Sequence, residues 1–96
     1  MKIIDKHNGY ILSRTNHGTW KIEDETKLKD NVRIDTAQTF DWENRTTKTE
    51  VFVNILSTGQ VEPDKAAEVA QDIMRATRSA KYFTDVIALY ENGTLK

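Results

Sequence analysis

Two histidines, three serines and fifteen carboxylates are the side chains from which this 96-residue sequence could assemble a reaction centre. A metal site would need His7 and His17 together, but they fall in separate turns, "HNG" at 7–9 and "TNHG" at 15–18. The strand between them holds them roughly 17 Å apart at about 3.3 Å per residue. No further ligand accompanies either one, and thiolates are excluded because the chain has no cysteine. No metal is expected, and each histidine reads as a polar turn residue.

Hydrolysis is no better served. Ser13, Ser57 and Ser79 lack the flanking glycines that lift a nucleophile onto a sharp turn. Asp41 and Glu43 share one strand face near a hairpin tip, where paired carboxylates could act as acid and base. A solvated position, however, lacks the burial that would drive their pKa values apart. The four glycines, at 9, 18, 59 and 93, are isolated in turns, so no loop cradles a phosphate and no nucleotide cofactor is expected. The chain reads as a non-enzyme without a cofactor.

Cations offer a different chemistry. Arg75, Arg78 and Lys81 stand at i, i+3 and i+6 near a helix end, and Arg45 with Lys48 sits at the hairpin tip. Together with the adjacent sheet they could follow a phosphate backbone, which makes nucleic-acid binding the alternative functional reading. Cations in a last helical turn also complement the macrodipole, and Arg75 can pair with Gln71 or Asp72. The overall balance of 14 Lys and Arg against 15 Asp and Glu, with signs mixed in "KIEDETKLKD", describes a solvated surface.

These residues must be positioned by elements that the punctuation of the chain delimits. Asn-Gly between apolar runs favours a hairpin because both turn residues tolerate positive φ, so strands are predicted at Lys2 to Lys6, Tyr10 to Arg14 and Thr19 to Glu23. Ile11, Trp20 and Ile22 are expected on one face. Residues 24–30 read as a loop or a single helical turn. From Asn31, Val32, Ile34, Phe40 and Trp42 are even-numbered and apolar, and the chain returns through Val51, Val53 and Ile55. A register with Trp42 opposite Val51 and Phe40 opposite Val53 places Trp42 in the core. Otherwise a bulge near Thr36 to Gln38, or a hairpin tip projecting from the body, would offer Trp42 to a partner.

After Pro63 the spacing of Ala66, Val69, Ala70, Ile73, Met74, Thr77 and Ala80 predicts a helix over 63–80, and Val86 to Tyr90 reads as an interior strand ended by Asn92-Gly93. The sum is one α+β domain over 1–96, in the order β-β-β-β-β-α-β. It is an antiparallel sheet of five to six strands with one helix packed on one face. Tyr10, Leu12, Phe52 and Leu56 have the opposite parity to the assigned core and would line a second apolar face, to be covered by a homodimer or another protein.

Asp5 and Lys6 interrupt the N-terminus before an apolar run develops, and no run approaches the eighteen or so residues of a membrane helix. With no cysteine, a cytoplasmic location is expected and no membrane partner. The leading functional expectation is a small intracellular protein-binding module, a regulator or inhibitor of the kind carried by phages and other mobile elements. Its partner-binding residues would be Tyr10, Leu12, Phe52, Leu56 and Trp42.

Overall fold

The computed structural model describes residues 1–26, 31–56 and 59–93. The elements are β1 (Lys2–His7), β2 (Tyr10–Arg14), β3 (Trp20–Asp24), β4 (Val32–Asp41), β5 (Thr46–Ile55) and α1 (Pro63–Glu91). The fold is α+β, with antiparallel sheets and one helix. Most of the loop or turn expected at 24–30 lies outside the described residues, as does Ser57, and Asp24 itself closes β3.

The expected single sheet is two sheets, β1-β2-β3 and β4-β5. β3 and β4 run alongside each other, but side chains join them where a main-chain ladder would be. Thr36 Oγ1 donates to the Trp20 carbonyl at 2.8 Å, and Gln38 Nε2 donates to the Gly18 carbonyl at 3.1 Å. Backbone pairing therefore stops at the seam, while the layer continues across it.

The β1–β2 turn follows its sequence. Asn8 and Gly9 both have positive φ, 49° and 83°, the two-residue geometry that matches strand twist. A Cβ on Gly9 would stand 3.0 Å from Arg75 Nη1 and 3.1 Å from Thr26 Cγ2, so this glycine also admits the neighbours that close over it. Within β1 the register shifts between Ile3 and Asp5. This bulge lets Ile4 pack against the core and still turns Asp5 and His7 toward α1.

Tyr10 and Leu12 do not lie on a second face. They are 1% and 0% exposed and form the centre of the core. Directly paired residues share a face, and the ladder sets Leu12 opposite Ile22 and Arg14 opposite Trp20. Ile11, expected with Trp20 and Ile22, pairs instead with Glu23 on the outer side. On that outer side Ile3, Ile11 and Phe52 stand among ion pairs: Lys21–Glu23 at 2.7 Å, Arg33–Asp35 at 3.0 Å and Lys48–Glu50 at 3.7 Å each join alternate residues of one strand across it. Of the four residues assigned to a second apolar face, Phe52 alone lies on it, paired with Asp35; Leu56 follows β5 as a partly exposed residue.

The helix runs 29 residues, about 43 Å at 1.5 Å per residue, through the segment expected to be a strand. No glycine or proline interrupts 64–91, and Ala76, Ala80, Phe83 and Ile87 continue one stripe at helical spacing. All four are buried, whereas Ala66, Ala70 and Met74, expected on that stripe, are exposed. The Asn92-Gly93 stop acts on a helix and not on a strand. Asn92 N–H bonds the Ala88 carbonyl at 3.0 Å, and Gly93 N–H bonds that of Tyr90 at 3.0 Å. The core thus lies between the inner face of β2–β5 and α1, with Tyr10, Leu12, Trp20, Ile22, Val32 and Ile34 against the helical stripe. Among the described residues no helix is long and apolar enough to cross a membrane.

Candidate functional site

β4 and β5 outrun the body. Their last hydrogen bonds to the rest of the described chain are made at one cross-strand pair, Gln38 to Gly18 O and Thr49 Oγ1 to Glu91 Oε1 at 2.5 Å. Every residue from 37 to 48 is exposed. Three further residues of strand carry the hairpin about 10 Å outward before the turn. The result is an arm whose tip is Trp42.

Trp42 is 83% exposed, so the core placement is overturned and the projecting tip is what forms. The cause is Asp41, whose carboxylate ends the strand. Its Oδ1 accepts the backbone N–H groups of Glu43 at 3.0 Å and Asn44 at 3.3 Å, and its Oδ2 accepts Asn44 Nδ2 at 2.8 Å. Arg45 completes the four-residue turn in the left-handed region at φ 52°. So tight a turn forces Val51 opposite Thr36 and Val53 opposite Ile34, leaving no apolar partner for Trp42 across the ladder. Bonding from the Asn44 side chain, then from the backbone N–H groups, holds the Asp41 carboxyl below its ordinary value. Phe40, also exposed, meets the Trp42 ring edge to face at 4.7 Å and 78°. The flanking charges are mixed, with Arg45 and Lys48 beside Asp41, Glu43 and Glu50.

The cationic edge does not assemble. Arg75 donates to Asp24 Oδ2 at 2.7 Å and to the Asn8 carbonyl at 2.8 Å, with its guanidinium 4.5 Å above the Tyr10 ring. Burial pushes the Asp24 carboxyl up, but bonds from Thr26 and Arg75 outweigh it and hold it below the usual carboxylate range. Arg78 and Lys81 remain exposed, without an ion pair among the described residues. Arg45 and Lys48 belong to the arm.

The structure does bring a histidine to a serine. His7 Nδ1 lies 3.0 Å from Ser79 Oγ, Ser79 Oγ donates to the His7 carbonyl at 3.1 Å, and the imidazole stacks on Tyr82 at 4.3 Å, whose hydroxyl donates to Asp5 at 2.6 Å. Ser79 is 0% exposed. The buried hydroxyl fastens β1 to α1. Among the described residues no three His, Asp or Glu side chains are placed to hold a metal ion.

Sequence reasoning missed Arg14. Its guanidinium lies 4.7 Å from the Trp20 ring centroid and 4.8 Å from that of Tyr90, in the corner made by two rings 5.1 Å apart and at 89° to each other. It faces a cleft of about 610 Å³ that starts at the foot of the arm, beside the C-terminal end of α1, and reaches along the arm to Thr46. His17, Gln38, Thr47 and Glu91 also line it. The residues come from four elements and two turns, so no local pattern announces them. No protein-family model, curated protein or solved structure matches the chain.

Proposed function

We propose that the chain is a non-enzymatic protein-binding module that holds its partner by the tip of the β4–β5 arm, with Trp42 as the anchor. One observation carries this reading: a tryptophan 83% exposed on a turn that Asp41 fixes by three hydrogen bonds. Tryptophan is the side chain most enriched among residues that dominate binding energy. A turn already rigid in the free protein loses little conformational entropy on association. Phe40 widens the apolar contact, and the mixed charges around it suit a polar rim. Phe52, Leu56 and the sheet face become secondary, because with Tyr10 and Leu12 in the core that face no longer carries the four apolar residues for which a homodimer was expected. Nucleic-acid binding is the weaker reading, because Arg75 is committed to Asp24 and the tip carries two cations, Arg45 and Lys48, against three carboxylates, Asp41, Glu43 and Glu50.

The test is capture from lysate of the native host by the wild-type chain and by Trp42→Ser, each with and without nuclease and at about 0.5 M salt, where phosphate contacts weaken steeply. A partner kept through nuclease and salt but lost with Trp42→Ser is the expected result. A partner equally held by Trp42→Ser would overturn the role of the tip, and one released by nuclease would make the chain a nucleic-acid binder.

A further inference from the structure

We infer that the cleft at the foot of the arm is a binding site for a small monoanionic carboxylate, received by Arg14. The two half-buried arginines that lie over aromatic rings make the argument by comparison. Arg75 sits on Tyr10 and has a carboxylate, Asp24, at 2.7 Å. Arg14 sits between Trp20 and Tyr90, and among the described residues its guanidinium makes no hydrogen bond and no ion pair. Contact with two rings at right angles fixes the guanidinium more firmly than one ring would, and Trp20 is only 5% exposed, so the site is rigid before any ligand arrives. A guanidinium offers five N–H donors in a planar fork that matches a carboxylate in two parallel bonds.

The rest of the cleft narrows the ligand. Its volume of about 610 Å³ falls within the range of small-molecule sites. Gln38 has committed its amide nitrogen to Gly18, which leaves its carbonyl oxygen as an acceptor, and the Thr47 hydroxyl can donate or accept. The facing wall is negative. Glu91 bonds Thr49 and lies beyond ion-pair distance of Arg14, and the last turn of α1 has no basic residue to offset its carbonyls. That wall disfavours a dianion such as phosphate and leaves room for one negative charge, placed on Arg14.

The probe is N-acetylglycine, titrated into the 15N-labelled chain, with N-acetylglycinamide and inorganic phosphate as comparisons. The expected result is saturable movement of the Arg14 Nε–H and Gln38 side-chain signals by N-acetylglycine, with a dissociation constant of about 1 mM, ordinary for so small a ligand. The amide should leave these signals still, and phosphate should bind at least about tenfold more weakly. Arg14→Lys, which keeps the charge but not the fork, should weaken binding about tenfold. Failure of N-acetylglycine to saturate, equal binding by the amide, tighter binding by phosphate, or an unchanged constant in Arg14→Lys would each overturn the assignment. The wild-type titration does not depend on any variant folding. Trp42→Ser should bind the probe as wild type does, which separates this site from the tip; a loss there would overturn the independence of the two.

Discussion

Arg75 reaches from the middle of α1 to the Asp24 carboxylate at 2.7 Å, and the two side chains are only 30% and 20% exposed. The same guanidinium holds the Asn8 carbonyl, so one side chain fastens the helix to the β1–β2 turn and to the end of β3.

A pH dependence follows from the direction of the Asp24 shift. Because the folded carboxyl ionises below its unfolded value, the pair contributes fully above about pH 4 and loses its contribution as pH falls through the folded value. Arg75→Gln should cost about 1.5 to 3 kcal/mol at pH 7, the range for a hydrogen bond to a charged group. Urea unfolding at pH 7 and pH 3 should show the gap between wild type and variant narrowing in acid; a gap independent of pH would mean that Asp24 is not the partner that matters.

Trp42→Ala should change stability by less than about 1 kcal/mol, since only the contact with Phe40 is lost and no cavity opens. With Trp20 replaced by Phe, the remaining emission should be red-shifted and readily quenched by iodide. Blue-shifted, protected emission would return Trp42 to the core.

Lys81→Gly separates one long helix from a helix ending near 80. Lys81 is exposed in the interior of α1, so glycine there should cost about 1 kcal/mol and lower the helical circular dichroism. Were the helix to stop at Ala80, glycine would serve as its cap and stability would hold or rise.

The seam between the sheets is tested by Thr36→Val, which keeps the shape and removes the donor to the Trp20 carbonyl. A loss of about 1 kcal/mol is expected by thermal or urea unfolding. No loss would show that packing alone joins β3 to β4.

What the sequence shows plainly is chemistry that acts within a few residues. Asn8-Gly9 announces its turn, Pro63 the start of α1, and Asn92-Gly93 a stop, though not the kind of element it stops, because each depends on φ preferences of the residues themselves. Val86 to Tyr90 misleads, since an uninterrupted apolar run satisfies both periods at once. Only its phase with Ala76, Ala80 and Phe83 reveals the helix. Parity correctly set Phe40 on the side of Val32 and Ile34, but parity gives a face and not a length. It could not show that the strand would end at Asp41, whose carboxylate folds the next three residues into a turn. The Arg14 cleft depends on residues 14, 20 and 90 meeting in space, and nothing local carries that information.

The seam bears on how the chain acquires its structure. Among the described residues every main-chain ladder joins strands that are neighbours in sequence, so the three-stranded meander and the long hairpin can each zip without waiting for a distant segment. Such local pairing closes in microseconds, and chains dominated by it fold fast for their size. Docking of α1 does span the sequence, since it brings Ser79 to His7 and Arg75 to Asn8. Substitutions on the buried stripe of α1 should therefore slow folding, measured by stopped-flow fluorescence of Trp20. Those at the tip of the arm should leave the folding rate unchanged.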